Sequence, residues 1–90
     1  MTDRGLVRIA DVRGLVADVV GSTALEGIEN DTALFEQMVV DSLHLVAIVA
    51  ALEERFGVTI QPEDLVPTNF GSLNQIAQFV ATKRGNSRNT

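Results

Sequence analysis

The stretch Val39-Val40-Asp41-Ser42-Leu43-His44-Leu45-Val46, continued to Phe56, decides the fold. From Leu45 the apolar residues Leu45, Ile48, Val49, Leu52 and Phe56 fall at i, i+3, i+4, i+7 and i+11, the spacing of one helix face. Asp41 suits the N-cap, because its carboxylate can accept a backbone N–H that the first turn leaves free. Ser42 then takes the first helical position, on the solvent side of a loop-to-helix junction. A hydroxyl there is open to another protein.

Upstream of this helix, residues 21–41 show weak periodicity and hold the turn-formers Gly21, Gly27, Asn30 and Asp31. A connection of this length is uncommon in a small domain. Leu25, Ile28, Leu34, Phe35 and Met38 are apolar enough to anchor it, with one helical turn expected near Leu34 to Met38. Glu26, Glu29, Asp31, Glu36 and Asp41 lie here with no base among them, so the segment alone carries a charge equal to the chain's net −5. Loops are commonly polar, but such a field also steers basic partners toward Ser42. Before the loop, Asp3 to Val20 is expected to be a first helix, with Ile9, Val12, Val16 and Val19 on its apolar stripe and Arg4, Arg8, Asp11, Arg13 and Asp18 over the rest.

Downstream, Gly57 is a C-cap signal and Val58-Thr59-Ile60 a short extended tether. Pro62 fits the first position of a short helix, with Glu63 and Asp64 suited to its positive end, and Pro67 ends it. Ser72-Leu73-Asn74-Gln75 matches a capping box opening a last helix, in which Leu73, Ile76, Ala77 and Val80 share a face. Lys83 and Arg84 suit its C-terminal end and Gly85 its stop. The expected fold is all-α: a small antiparallel bundle of three main helices plus one short helix, with a long loop between the first and second. Residues 1–84 would form the bundle and 85–90 a disordered polar tail.

Composition narrows the function. Ninety residues, 46% of them apolar, suit one domain with a packed core. No apolar run approaches the roughly 20 residues of a membrane span, and Met1 to Gly5 does not resemble a signal peptide, so a soluble cytoplasmic protein is expected. With 7 basic against 12 acidic residues, and no Trp or Tyr, nucleic acid is a poor partner. There is no cysteine and only one histidine, so no thiolate, disulfide or metal-ligand set presents itself. As a hydrolase nucleophile Ser42 lacks the G-x-S-x-G setting. Its only histidine, His44, lies two residues on, and helical neighbours two apart do not face each other. No catalytic residue is expected. Taken alone, Ser42 could simply help start a helix.

The longer pattern points further. Asp41-Ser42-Leu43 is followed by Leu52-Glu53-Glu54-Arg55-Phe56-Gly57 and Val58-x-Ile60. After these come Glu63-Asp64-Leu65, Asn69-Phe70-x-Ser72-Leu73 and Ile76-Ala77-x-Phe79-Val80. In order and spacing this resembles a standalone acyl carrier protein of the phosphopantetheine-binding kind, over roughly residues 5 to 84. The tripeptide alone is weak, but with the downstream blocks the match is specific.

The resemblance implies that a phosphopantetheinyl transferase moves 4′-phosphopantetheine from coenzyme A to Ser42. The arm's thiol then carries acyl or aminoacyl groups as thioesters between a loading ligase or synthase and downstream biosynthetic enzymes. A specialised lipid, polyketide or nonribosomal pathway fits, with a monomeric carrier that is itself no enzyme. The resemblance also places Asp41 beside the transferase's metal-bound coenzyme and Leu43 against partners. It assigns docking to a helix face including Leu43, His44, Ala47, Ala50, Ala51 and Glu54. Two departures stand out. Val39 occupies a position where many fatty-acid carriers have glycine, which bears on the loop backbone and on the choice of transferase. His44 and Ala47 replace acidic residues, so docking should rely more on apolar contact and shape than on ion pairs. The alternative is an unmodified interaction module that keeps the fold and needs no arm.

Overall fold

Helix α2 spans Ser42–Phe56 and is set between two local stops. Asp41 caps its start in extended backbone, and Gly57 ends it in the left-handed region at φ 68°, donating its N–H to the Glu53 carbonyl. Ile48 and Leu52 are fully buried, while Leu45, Val49 and Phe56 pack against the core from its edge. The apolar stripe therefore faces inward as its spacing predicts.

The computed structural model describes residues 7–87, and the side chains up to Gly85. Helix α1 spans Ile9–Val20, α3 is the single turn Pro67–Phe70, and α4 spans Leu73–Ser87. Two 3-10 turns, Ser22–Leu25 and Pro62–Asp64, lie in the connections. Helix α4 packs on α1, α2 and α3, and α1 also packs on α2. No strand occurs among the described residues, and Val58 to Ile60 has no regular structure. None of the described helices is long and apolar enough to cross a membrane.

Several boundaries differ from expectation for physical reasons. The first helix begins at Ile9, with Arg8 as its extended N-cap, so Val7 and Arg8 lie outside it; Asp3 to Leu6 fall outside the described residues. Pro67 does not end the turn that Pro62 opens, contrary to expectation: that turn closes at Asp64 with Leu65 as its C-cap, and Pro67 with its fixed φ starts α3 instead. Gly85 does not stop α4, which continues to Ser87. Arg84 stands in the last turn of α4 as expected, and both cations also make specific contacts: Lys83 Nζ lies 2.9 Å from Asp64 and 5.9 Å above Phe79 one turn back in α4, and Arg84 sits 5.8 Å above Phe56. Of the Ser72 capping box, the hydroxyl accepts the Gln75 N–H at 3.1 Å.

The connection between α1 and α2 is built into the core. Leu25, Leu34 and Val40 are buried with the helix residues, and hydrogen-bonded turns cover 34–38. Leu34 donates to the Gly71 carbonyl at 2.8 Å, and the Asn30 carbonyl accepts the Asn74 N–H at 2.9 Å. Asn30 thereby satisfies an otherwise orphan donor in the first turn of α4. Arg13, expected on the solvent side of the first helix, instead reaches over to the loop. It donates to the carbonyls of Leu25 and Ile28 and to Asn30 Oδ1.

Candidate functional site

The residues singled out in the sequence converge on the start of α2. The Asp41 carboxylate accepts the His44 N–H at 2.9 Å, and the Asp41 carbonyl accepts the Leu45 N–H at 2.8 Å. His44 answers in kind: its Nδ1 lies 3.3 Å from the Asp41 N–H, closing a reciprocal capping box with histidine in the place usually held by Glu or Gln. The same Nδ1 is 3.3 Å from Asp41 Oδ1, so a proton on that nitrogen would turn the contact toward the carboxylate. Either way His44 is folded back on Asp41 and half-buried, and does not stand out from the face as the helical wheel implies.

Ser42 follows directly and is exposed. Its hydroxyl is engaged by none of the described residues. The side chain is thus free to become an ester without breaking a bond that the fold relies on.

The outer face of α2 is more apolar than its sequence-based outline. Leu43 is 81% exposed and Val46 68%, with Ala47, Ala50 and Glu54 also exposed. Met38, in the segment leading to Asp41, is 88% exposed and holds φ 60°, a left-handed backbone that costs a non-glycine residue. Val39, at the position where many fatty-acid carriers have glycine, is not the positive-φ residue; the strain sits one position earlier. Ala51 departs from the expected outer face: it is half-buried in a shallow groove shared with Leu15, Asp18 and Val19 of α1. Val46 joins this surface without being expected there, and Met38, expected to anchor the loop, is exposed instead. Val46 has a signal in the sequence, since Leu43, Val46, Ala47 and Ala50 form a second helical series at i, i+3, i+4 and i+7. Met38 has none, because its exposure follows from a loop conformation.

One turn along α2 from Ser42, Leu45 lines a surface groove of about 360 Å³ with Phe35, Leu65, Val66, Pro67 and Phe70. Glu36 stands at its rim and the other lining is apolar. Ile48, by contrast, is sealed in the core. Among the described residues no group of three or more His, Asp or Glu side chains could hold a metal ion.

What such a bundle offers to other proteins is a hydroxyl and a surface, which is the equipment of a carrier. Residues 10–80 match the family model for the phosphopantetheine attachment site, and the chain belongs to that family. The family carries covalently attached 4′-phosphopantetheine, and its members are generally carriers without catalysis of their own.

Proposed function

We propose that Ser42 is the attachment residue and that the chain carries acyl or aminoacyl intermediates for a biosynthetic pathway. The observation that carries this reading is the exposed, unengaged Ser42 hydroxyl at the first turn of a capped helix. Ser42 Oγ forms a bond to the phosphorus bearing the pantetheine moiety of coenzyme A. The pyrophosphate P–O bond breaks, adenosine 3′,5′-bisphosphate leaves, and the hydroxyl proton passes to the transferase. Ser42 stands at the positive end of α2, where the helix dipole would favour the negative charge of a phosphodiester on its hydroxyl. When bound, the group supplies a terminal thiol that holds cargo as a thioester.

The neighbours have separate tasks. Asp41 and His44 fix the backbone turn on which Ser42 sits, and Asp41 presents its carboxylate to the incoming transferase. Leu43, with Val46, Ala47, Ala50 and Glu54, forms the docking face for the transferase, a loading ligase or synthase and downstream enzymes. The apolar groove beginning at Leu45 gives an apolar cargo a place to lie against the bundle. The exposed Leu43 and Val46, one turn apart on α2, also support a second reading, an interaction module that works without the arm.

Intact mass after incubation with coenzyme A, magnesium and a broad-specificity phosphopantetheinyl transferase separates the two. Wild type should gain one phosphopantetheine and Ser42→Ala none, while the variant keeps its stability within about 0.5 kcal/mol, as expected of an exposed site. No gain on wild type with several transferases, and partner binding unchanged in Ser42→Ala, would favour the interaction module.

A further inference from the structure

Arg13 lies on α1, far in sequence from Ser42, yet its bonds lead toward it. Its guanidinium donates to the Ile28 carbonyl, to Asn30 Oδ1 at 3.2 Å and, more weakly, to the Leu25 carbonyl at 3.5 Å. Asn30 in turn is fixed to α4 through the Asn74 N–H at 2.9 Å. Leu34, four residues further, is fully buried and donates to the Gly71 carbonyl at 2.8 Å. The Leu34 carbonyl then accepts the N–H groups of Val39 at 2.9 Å and Val40 at 3.3 Å. Asp41 and Ser42 follow at once.

We infer that Arg13 is a positioning residue for the transfer reaction. By clamping the first half of the loop to α1, it holds the segment before Ser42 in the one arrangement a transferase can cover. The inference rests on Ser42 being the attachment residue. Three features carry it. A planar fork reaching two carbonyls and an amide oxygen is a geometry that Arg supplies and Lys does not. The strained Met38 backbone persists only if its surroundings hold it. And the chain from the clamped half to Ser42 passes through Leu34, whose N–H and carbonyl are both hydrogen-bonded and whose side chain is fully buried.

Releasing the clamp lowers the fraction of molecules presenting a competent surface, which raises the apparent dissociation constant in proportion and leaves the transferase's chemistry alone. The test compares wild type, Arg13→Gln and Arg13→Lys, each in loading kinetics with coenzyme A and magnesium, and in amide hydrogen exchange. For Arg13→Gln the expected result is a KM for the carrier about fivefold higher with kcat unchanged. Amide exchange at Val39 and Val40 should be about tenfold faster. Arg13→Lys should lie between, keeping one contact.

Unchanged KM and unchanged exchange at Val39 and Val40 in a variant that loses the contacts would overturn the inference. So would a loss of activity that merely tracks the unfolded fraction. If Arg13→Gln does not fold, Arg13→Lys decides by the same criteria. Should wild type itself fail to load, the Ser42 assignment fails. The exchange measurement, which needs no loading, then still decides whether Arg13 holds that segment.

Discussion

At the scale of single residues, the start of α2 shows how little is spent on presenting a hydroxyl. Asp41 and His44 satisfy each other's backbone N–H groups, and Ser42 between them is left with nothing to do structurally. Removing the cap should therefore be felt in stability while removing the hydroxyl should not. Asp41→Ala is expected to cost about 1 kcal/mol, which for a domain of this size lowers the melting temperature by about 4–8 °C. Calorimetry beside Ser42→Ala checks the contrast, and equal shifts in the two variants would mean that the cap carries no special weight. The Asp41 half of this box is legible in the sequence because aspartate before a helical series is a known start signal. The His44 half is not, since histidine at the third position is not a usual box residue. Met38 marks a harder limit: nothing in the letters Gln37-Met38-Val39 announces a positive φ, which arises from the Leu34 carbonyl drawing two later N–H groups back onto itself.

At the scale of elements, the return from α2 to α4 is held by side chains acting across the gap. The Glu53 carboxylate accepts the Ile60 N–H at 2.9 Å, tying the tether back to α2. Asp64 accepts the Gln61 N–H at 2.9 Å and pairs with Lys83 of α4 at 2.9 Å. The Lys83 ammonium, and then the Gln61 N–H, hold the Asp64 carboxyl below the usual aspartate range, against a smaller opposing effect of burial. A depressed folded value means that the contribution is complete above the unfolded pKa of about 4 and is lost as pH falls through the folded value. Asp64→Asn should thus melt below wild type near neutral pH, with the gap closing in acid as wild-type Asp64 takes up its proton. Melting curves of both proteins from about pH 6 down to about pH 2 cover this window. No gap at any pH would show that the pair with Lys83 contributes nothing and that Asn serves the Gln61 cap equally well. Periodicity and caps reveal the three long helices from sequence alone, because each of those signals is local. The same local signals place Arg84 in the last turn of α4, but they do not show what Lys83 and Arg84 meet, Asp64 and Phe56, because those lie in other elements.

At the scale of the molecule, the segment from Gly21 to Asp41 has two characters that its sequence shows only in part. Its charge is on the surface: Glu26, Glu29, Asp31, Glu36 and Asp41 are all exposed. Leu25, Leu34 and Val40 are in the core while Phe35 and Met38, expected as anchors, are exposed; Leu34 is fully buried and bonded through both backbone groups. Anchoring by Leu25 and Leu34 can be foreseen from hydrophobicity, whereas the pairing with Gly71 and Asn74 depends on which helix end comes to lie beside the loop. If the loop is a structural layer, Leu34→Ala should cost about 2–5 kcal/mol, as for other fully buried leucines. That is a large share of the roughly 5–13 kcal/mol expected of a chain this long. Chemical denaturation should show the midpoint falling with the slope preserved, since the whole bundle still unfolds as one unit. A change below about 0.5 kcal/mol, the range of surface substitutions, would instead make the loop a solvated linker. In that case Ser42 would be presented by α2 alone.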